Sequence, residues 1–136
     1  MKTRPRFPSG PLGGGAAAPS VLIADPDVAT RSVLRIVLER TGYRTRAAVT
    51  AAEALALLND RPDALVTELV FPDRRGLELV QAARQADPAT IVIVLSEISN
   101  DLAVIEALRA GAHDYVRKPF SPDELVARLE RHGSRD

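Results

Sequence analysis

The chain contains no cysteine, no tryptophan and only two histidines, His113 and His132, in 136 residues. Without cysteine there are no disulfide frameworks, no thiolate zinc sites and no cysteine nucleophiles. Two histidines cannot build a multi-histidine metal site. An excess of one charge is also missing: 18 Lys+Arg face 18 Asp+Glu, for a formal net charge of zero. That argues against nucleic-acid binding by bulk electrostatics. No apolar run approaches the roughly 20 residues needed to span a bilayer. No glycine-rich loop follows the first strand. Gly13–Gly15 precedes it, and Asp25-Pro26-Asp27, which follows it, would repel a phosphate, so a nucleotide-binding or flavodoxin-like enzyme is not expected. What remains is ordinary: 46% hydrophobic and 26% charged residues, as in a soluble domain. A chain of this length buries roughly two-thirds of its unfolded surface and needs no covalent staple.

Composition divides the chain. Residues 1–19 hold four of the ten prolines, four of the eight glycines, the basic residues Lys2, Arg4 and Arg6, and no acid. This stretch has no periodicity and reads as a disordered basic leader without the apolar core of a secretory signal. The body, 20–132, carries the periodic patterns, and 133–136 is a C-terminal stub. The expectation is therefore a single cytoplasmic domain with no output domain behind it.

Within the body, strand and helix patterns alternate. Val21–Ala24, Ala64–Glu68 and Thr90–Leu95 are apolar runs suited to strands buried on both faces. Tyr43–Ala48 alternates and carries two arginines, as an edge strand does. Tyr115–Arg117 is a short strand for the other edge. Helices are expected over Val28–Arg40, where Val33, Leu34, Val37 and Leu38 form a stripe assigned to the core, and after the capping box Thr50-Ala-Ala-Glu53, through Leu58. Further helices are expected over Gly76–Ala86, Asn100–Ala110, and from Ser121-Pro-Asp-Glu124 to about His132. Strict alternation predicts an α/β fold: a doubly wound, flavodoxin-like, five-stranded parallel sheet of order 2-1-3-4-5. In such a sheet the site lies beyond the carboxyl ends of the strands, at the switch point between strands 1 and 3.

Those strand ends carry Asp25, Glu68, Ser96 and Lys118. The chain uses 16 arginines and two lysines, and the other lysine lies in the leader. A lone lysine here points to a need for a compact ammonium on a slim stem.

The segments that carry these residues resemble the receiver domain of bacterial two-component response regulators. They are Val21-Leu-Ile-Ala-Asp25-Pro-Asp, Pro62-Asp-Ala-Leu-Val-Thr-Glu68 with the loop to Gly76, Ile91–Ser96, and Ala110–Leu125 with Lys118-Pro119-Phe120. The resemblance covers residues 20–132. It implies a non-enzymatic signalling module. Asp25 matches the first of two metal-holding acids, Ser96 and Lys118 the groups that contact a phosphoryl oxygen, and Tyr115 the switch aromatic. Lys118-Pro119 matches a peptide often cis in the family.

Two positions depart from the pattern. Pro26 stands where the second metal-binding acid belongs, and Glu68 where the phosphoryl-accepting aspartate belongs. Mg²⁺ demands near-octahedral oxygen ligation, and Asp25, Glu68 and the Val70 carbonyl make a poor set. Asp27 could swing in, but it is placed to cap the first helix. Weak or absent Mg²⁺ binding is expected. Glutamate is one methylene longer than aspartate, and a misplacement of about 1 Å can cost ~100-fold in transfer. An atypical, phosphorylation-independent receiver is therefore expected. Glu68 would reach Lys118 and Ser96, either imitating the marked state or filling the pocket inertly. The alternative is a working receiver that uses Glu68, or a rearranged Asp25/Asp27 metal site.

The expected partner is a protein, such as a histidine kinase or another two-component protein. The expected face is helix 4, strand 5 and helix 5, presenting Asp101, Glu106, Arg109, Tyr115, Arg117, Glu124 and Arg128. A homodimer is also compatible with the pattern.

Overall fold

The computed structural model of the protein describes residues 18–133. The basic leader expected over the first residues, up to residue 17, and the C-terminal stub 134–136 lie outside the described residues. In chain order the elements are β1 (Ser20–Ala24), α1 (Val28–Thr41), β2 (Arg44–Ala48), α2 (Ala51–Leu57), β3 (Ala64–Thr67), α3 (Gly76–Ala86), β4 (Ile91–Ser96), α4 (Asp101–Ala110), β5 (Asp114–Arg117) and α5 (Pro122–Gly133). One 3₁₀ turn, Leu58–Asp60, ends α2. The sheet is parallel throughout, in the expected order β2-β1-β3-β4-β5.

The order follows from burial. β1, β3 and β4 are covered on both faces, so their side chains feed two cores by simple alternation. Leu22, Leu65, Val92 and Val94 face α2, α3 and α4. Val21, Ile23, Val66, Ile93 and Leu95 face α1 and α5. A strand-by-strand register ties the layers, with Ala24 beside Thr67 and Thr67 beside Val94. All carboxyl ends therefore open at one pole.

Some boundaries differ from the sequence reading, for local reasons. Tyr43 precedes β2, because its N–H caps α1 by donating to Leu38 O at 3.0 Å. Thr90 precedes β4, because its buried hydroxyl donates to Pro62 O at 2.9 Å. The α1 stripe is mostly core: Leu34 and Leu38 are buried and Val37 packs against them, whereas Val33 is 41% exposed, as is the neighbouring Ile36 at 56%. The 3.6-residue period turns these two valine and isoleucine positions outward.

The loop from Leu69 to Arg75 is pinned at three points. Val70 and Arg75 form an antiparallel bridge. Asp73 accepts from Ala51 N at 3.1 Å and Ala52 N at 2.9 Å, so it caps α2 from 21 residues away. Gly76 N donates to Leu69 O at 2.9 Å. A Cβ at Gly76 would lie 2.5 Å from Leu69 Cα and 2.7 Å from Glu68 O. Because these are backbone atoms, the loop itself must move. Gly76→Ala is expected to destabilise the fold by about 1–3 kcal/mol, read as a lower urea midpoint at unchanged slope.

At the opposite pole Asp114 fastens β5 to α5. Its carboxylate accepts from Arg128 Nη1 at 2.7 Å and Arg131 Nη2 at 3.3 Å, and meets His132 Nε2 at 3.1 Å. Burial pushes the Asp114 carboxyl up, but the bonds from His132 and the Tyr115 N–H and the Arg128 charge outweigh it and hold it below 3.8. A carboxyl lowered by folding stabilises above its unfolded value, and that stability is lost as pH falls through the folded value. Asp114→Asn should therefore lower stability at pH 7. The difference from wild type should close as pH falls below 3.8 and through the lowered Asp114 value, as measured by urea titrations across pH.

Candidate functional site

β1 and β3 deliver two acids side by side, and β5 delivers a cation between them. Asp25 and Glu68 are buried where their strands stop. Lys118 Nζ donates to Asp25 Oδ2 at 2.8 Å and to Glu68 Oε2 at 3.0 Å. The remaining oxygens are also used: Asp25 Oδ1 accepts from Asp27 N at 2.8 Å, and Glu68 Oε1 from Leu69 N at 2.7 Å. Burial works to lower the Lys118 ammonium, but its hydrogen bonds to Asp25 and Glu68 outweigh that and hold it above its ordinary range. The Lys118-Pro119 peptide is cis, and Lys118 N donates to Ser96 O at 2.9 Å. β4 thereby holds the lysine in line with the two acids.

Pro26 lies at the lip of the cleft and has no side-chain donor atom. Asp27 also borders the cleft, but it serves as the N-cap of α1, its Oδ2 accepting from Thr30 N at 3.1 Å and Thr30 Oγ1 at 2.7 Å. Those bonds hold the Asp27 carboxyl below its ordinary value.

The residues present do not fit a divalent cation. The ammonium of Lys118 bridges the two carboxylates that would have to face the metal. Asp27 is committed to α1, and Pro26 offers nothing. Among the described residues no three His, Asp or Glu side chains converge as a ligand set. A hard cation would have to displace Lys118 first, and Mg²⁺ gives up its own water reluctantly.

Ser96 and Tyr115 meet beside this cleft, not in it. Ser96 Oγ accepts from Ile98 N at 3.1 Å. The Tyr115 hydroxyl donates to Ile98 O. Burial and the nearby Glu68 charge raise the Tyr115 hydroxyl, against the lowering effect of its contact with Ser96. Among the described residues no hydrogen bond joins Glu68 to Ser96. The sequence reading brought Glu68 to Lys118 and to Ser96, and only the first contact forms. It also missed Ile98, the backbone pivot of both side chains, because a backbone acceptor leaves no mark in residue identity.

The face of α4, β5 and α5 also differs from expectation. Tyr115 is 8% exposed and so is not part of a surface. Arg128 is tied to Asp114 and to Glu124. The outward residues of α4 include three large apolar ones, Leu102 at 64%, Ile105 at 44% and Leu108 at 46% exposure. Their i, i+3, i+6 spacing was readable as a stripe, but the side of the helix it would occupy was not.

Comparison with known proteins gives the same assignment from three directions. The family model of the response regulator receiver domain matches residues 21–130. Response regulator MprA of Mycobacterium ulcerans is 37% identical over 110 residues, which is 80% of this chain and 47% of that protein. The DNA-binding transcriptional regulator NtrC of Azospirillum brasilense is 34% identical over 116 residues, or 85% of this chain and 24% of that protein. The chain thus spans half or less of these relatives. Among solved structures, the receiver domain of the Francisella response regulator 1452 superposes with a TM-score of 0.77 at 35% identity, covering 84% of this chain and 95% of that one. The BeF3-activated DrrB receiver domain superposes at 0.79 and 31%, covering 87% and 99%. No helix among the described residues is long and apolar enough to cross a membrane. With the sheet order, the strand-end acids and lysine and these matches in agreement, the chain belongs to the response regulator receiver domain family of two-component signalling.

Proposed function

We propose that this receiver is atypical: it passes information by protein contact, without a covalent phosphoryl mark at Glu68. The observation that carries this reading is the double contact of Lys118 Nζ, at 2.8 Å to Asp25 and 3.0 Å to Glu68. Both carboxylates already share the one ammonium of Lys118. An acceptor must lie in line with its leaving group, with metal and lysine free to stabilise the developing charge. Here the acceptor position is a longer side chain folded onto the lysine. Of the two roles open to Glu68, the inert one is better supported, because Ser96 is bound to the Ile98 N–H and not to the Glu68 carboxylate.

The partner is another two-component protein in the cytoplasm, such as a histidine kinase, reached through α4, β5 and α5. The Leu102, Ile105 and Leu108 side chains are that face's apolar contribution, and a homodimer would use the same residues. The test is incubation with Mg²⁺ and a small phosphodonor, then intact-mass measurement. The expected spectrum is that of the unmodified chain. An added ~80 Da on Glu68 would establish the alternative, a working acceptor. Glu68→Gln separates the two non-covalent roles: unchanged partner binding fits an inert pocket, and lost binding fits a permanent imitation of the marked state.

A further inference from the structure

α4 carries an apolar stripe that nothing among the described residues covers. Its Leu102, Ile105 and Leu108 are 64%, 44% and 46% exposed. Asp101 and Arg109 stand exposed at the two ends of the helix and form no ion pair among the described residues. At 3.6 residues per turn these five side chains fall within an arc of about 120° centred on Ile105. Ala107, on the far side, is the buried residue of the helix. We infer that two copies of the chain pair through α4, antiparallel, with the twofold axis at Ile105. This pairing rests on the reading of α4, β5 and α5 as the docking face, and supplies the occupant of its apolar stripe.

Three observations select a second copy. The first is that the stripe complements itself. A half-turn about an axis through Ile105 reverses both the direction and the sides of α4. Leu102 then meets Leu108 of the second copy, Ile105 meets Ile105, and Asp101 meets Arg109. Each unlike contact occurs twice, as an isologous interface requires. A parallel pairing would set Asp101 against Asp101 and Arg109 against Arg109.

The second is the charge around the stripe. Arg75 and Glu106 flank it on the α3 side. Arg117 of β5 flanks it on the other, its Nε donating to Ser99 O at 3.4 Å. With Asp101 and Arg109 these make two acids and three arginines, so two copies of the patch meet without a large excess of like charge. The α4 dipole alone favours an acid in the first turn and a base in the last. It does not account for three large apolar side chains in water between them.

The third is a recess in the right place. Leu102 borders an open cleft of about 280 Å³ that Leu69, Leu77 and Ile98 also line. The antiparallel register sets Leu108 of the second copy over that cleft, as an anchor for the interface. One helix pair covers less than a standard interface, so the dimer is weak and depends on concentration.

The substituted positions are all exposed, so the variants keep the fold, and the absence of cysteine makes cross-linking specific. Sedimentation of the full chain up to roughly 1 mM, without Mg²⁺ or phosphodonor, should show monomer and dimer in equilibrium. Ile105→Glu should raise the dissociation constant at least about tenfold. Asp101→Arg and Arg109→Asp should each raise it about 5- to 10-fold at low salt. The double variant, and an equal mixture of the two single variants, should return to within about twofold of wild type, because opposite charges face each other again. Under oxidation Ile105→Cys should give a covalent dimer. Leu102→Cys should cross-link to Leu108→Cys but not to itself, since only the first pair comes within disulfide reach. A chain that stays monomeric, or a dimer that Ile105→Glu leaves unchanged, overturns the inference and leaves the α4 stripe to a different protein. A mixture that does not recover overturns it as well. Dimers that form only with Mg²⁺ and phosphodonor, together with an added ~80 Da, overturn both this pairing and the contact-only reading.

Discussion

Replacing Lys118 by methionine should destabilise the protein more than any other single change at the pocket. Methionine keeps most of the apolar stem and removes only the ammonium. Asp25 and Glu68 would then face each other with side chains 4% and 9% exposed and no cation between them. Breaking a buried pair by removing one partner costs about 3–5 kcal/mol, which for a domain of this size lowers Tm by about 10 °C or more. The stranded carboxylates should take up protons at unusually high pH, since desolvation and mutual repulsion both favour the neutral form. The deficit should therefore shrink as pH falls, the reverse of ordinary acid destabilisation. Adding Asp25→Asn and Glu68→Gln to Lys118→Met should restore much of the loss, because a neutral pocket strands no charge.

The wild-type pair has the opposite pH dependence at the alkaline end. Folding raises the Lys118 ammonium above 10.5. A cation raised by folding contributes fully below its unfolded value and loses that contribution as pH rises through the folded one. The pocket therefore stabilises the fold across the neutral range and weakens only above about pH 10.5. Lys118→Arg is not a neutral control. A planar guanidinium cannot place one nitrogen 2.8 Å from Asp25 and 3.0 Å from Glu68 without moving the neighbouring backbone.

The gathering of Asp25, Glu68 and Lys118 at one cleft, and the contact of Glu68 with Lys118, were readable because each residue stands at the carboxyl end of a strand and the strand order follows from burial; the contact of Asp25 with Lys118 was not read from the sequence. Asp27 as the cap of α1 was readable for the same local reason. What escaped the sequence is the direction of individual side chains. Tyr115 lies in a short edge strand, and its hydroxyl donates to the Ile98 carbonyl. Val33 and Ile36 look like core residues by type and stand outside. Asp73 reads as a turn residue, and its acceptor role depends on α2 N–H groups brought near by the tertiary fold. Propensity and period fix which elements form, whereas these details are set by packing between elements.

Restoring an acceptor should take two changes, not one. Glu68→Asp withdraws the carboxylate by one methylene and releases it from Lys118. The cleft would still lack an acid at position 26, and Asp27 would still be held by Thr30. Pro26→Asp supplies that acid, but it leaves Glu68 folded onto the lysine. The two together place three carboxylates around the cleft with one ammonium, a set a hard divalent cation can use. In Mg²⁺ with a small phosphodonor, the double variant should gain ~80 Da. Pro26→Asp alone should lag it by about 100-fold, the loss typical of an acceptor about 1 Å out of place, and Glu68→Asp alone should lag it because the second metal-holding acid is still missing. Divalent-cation affinity, measured by calorimetry, should rise in the same order. Equal modification of wild type and double variant would mean that Glu68 and Pro26 impose no barrier, and that the ammonium bridge yields readily to metal.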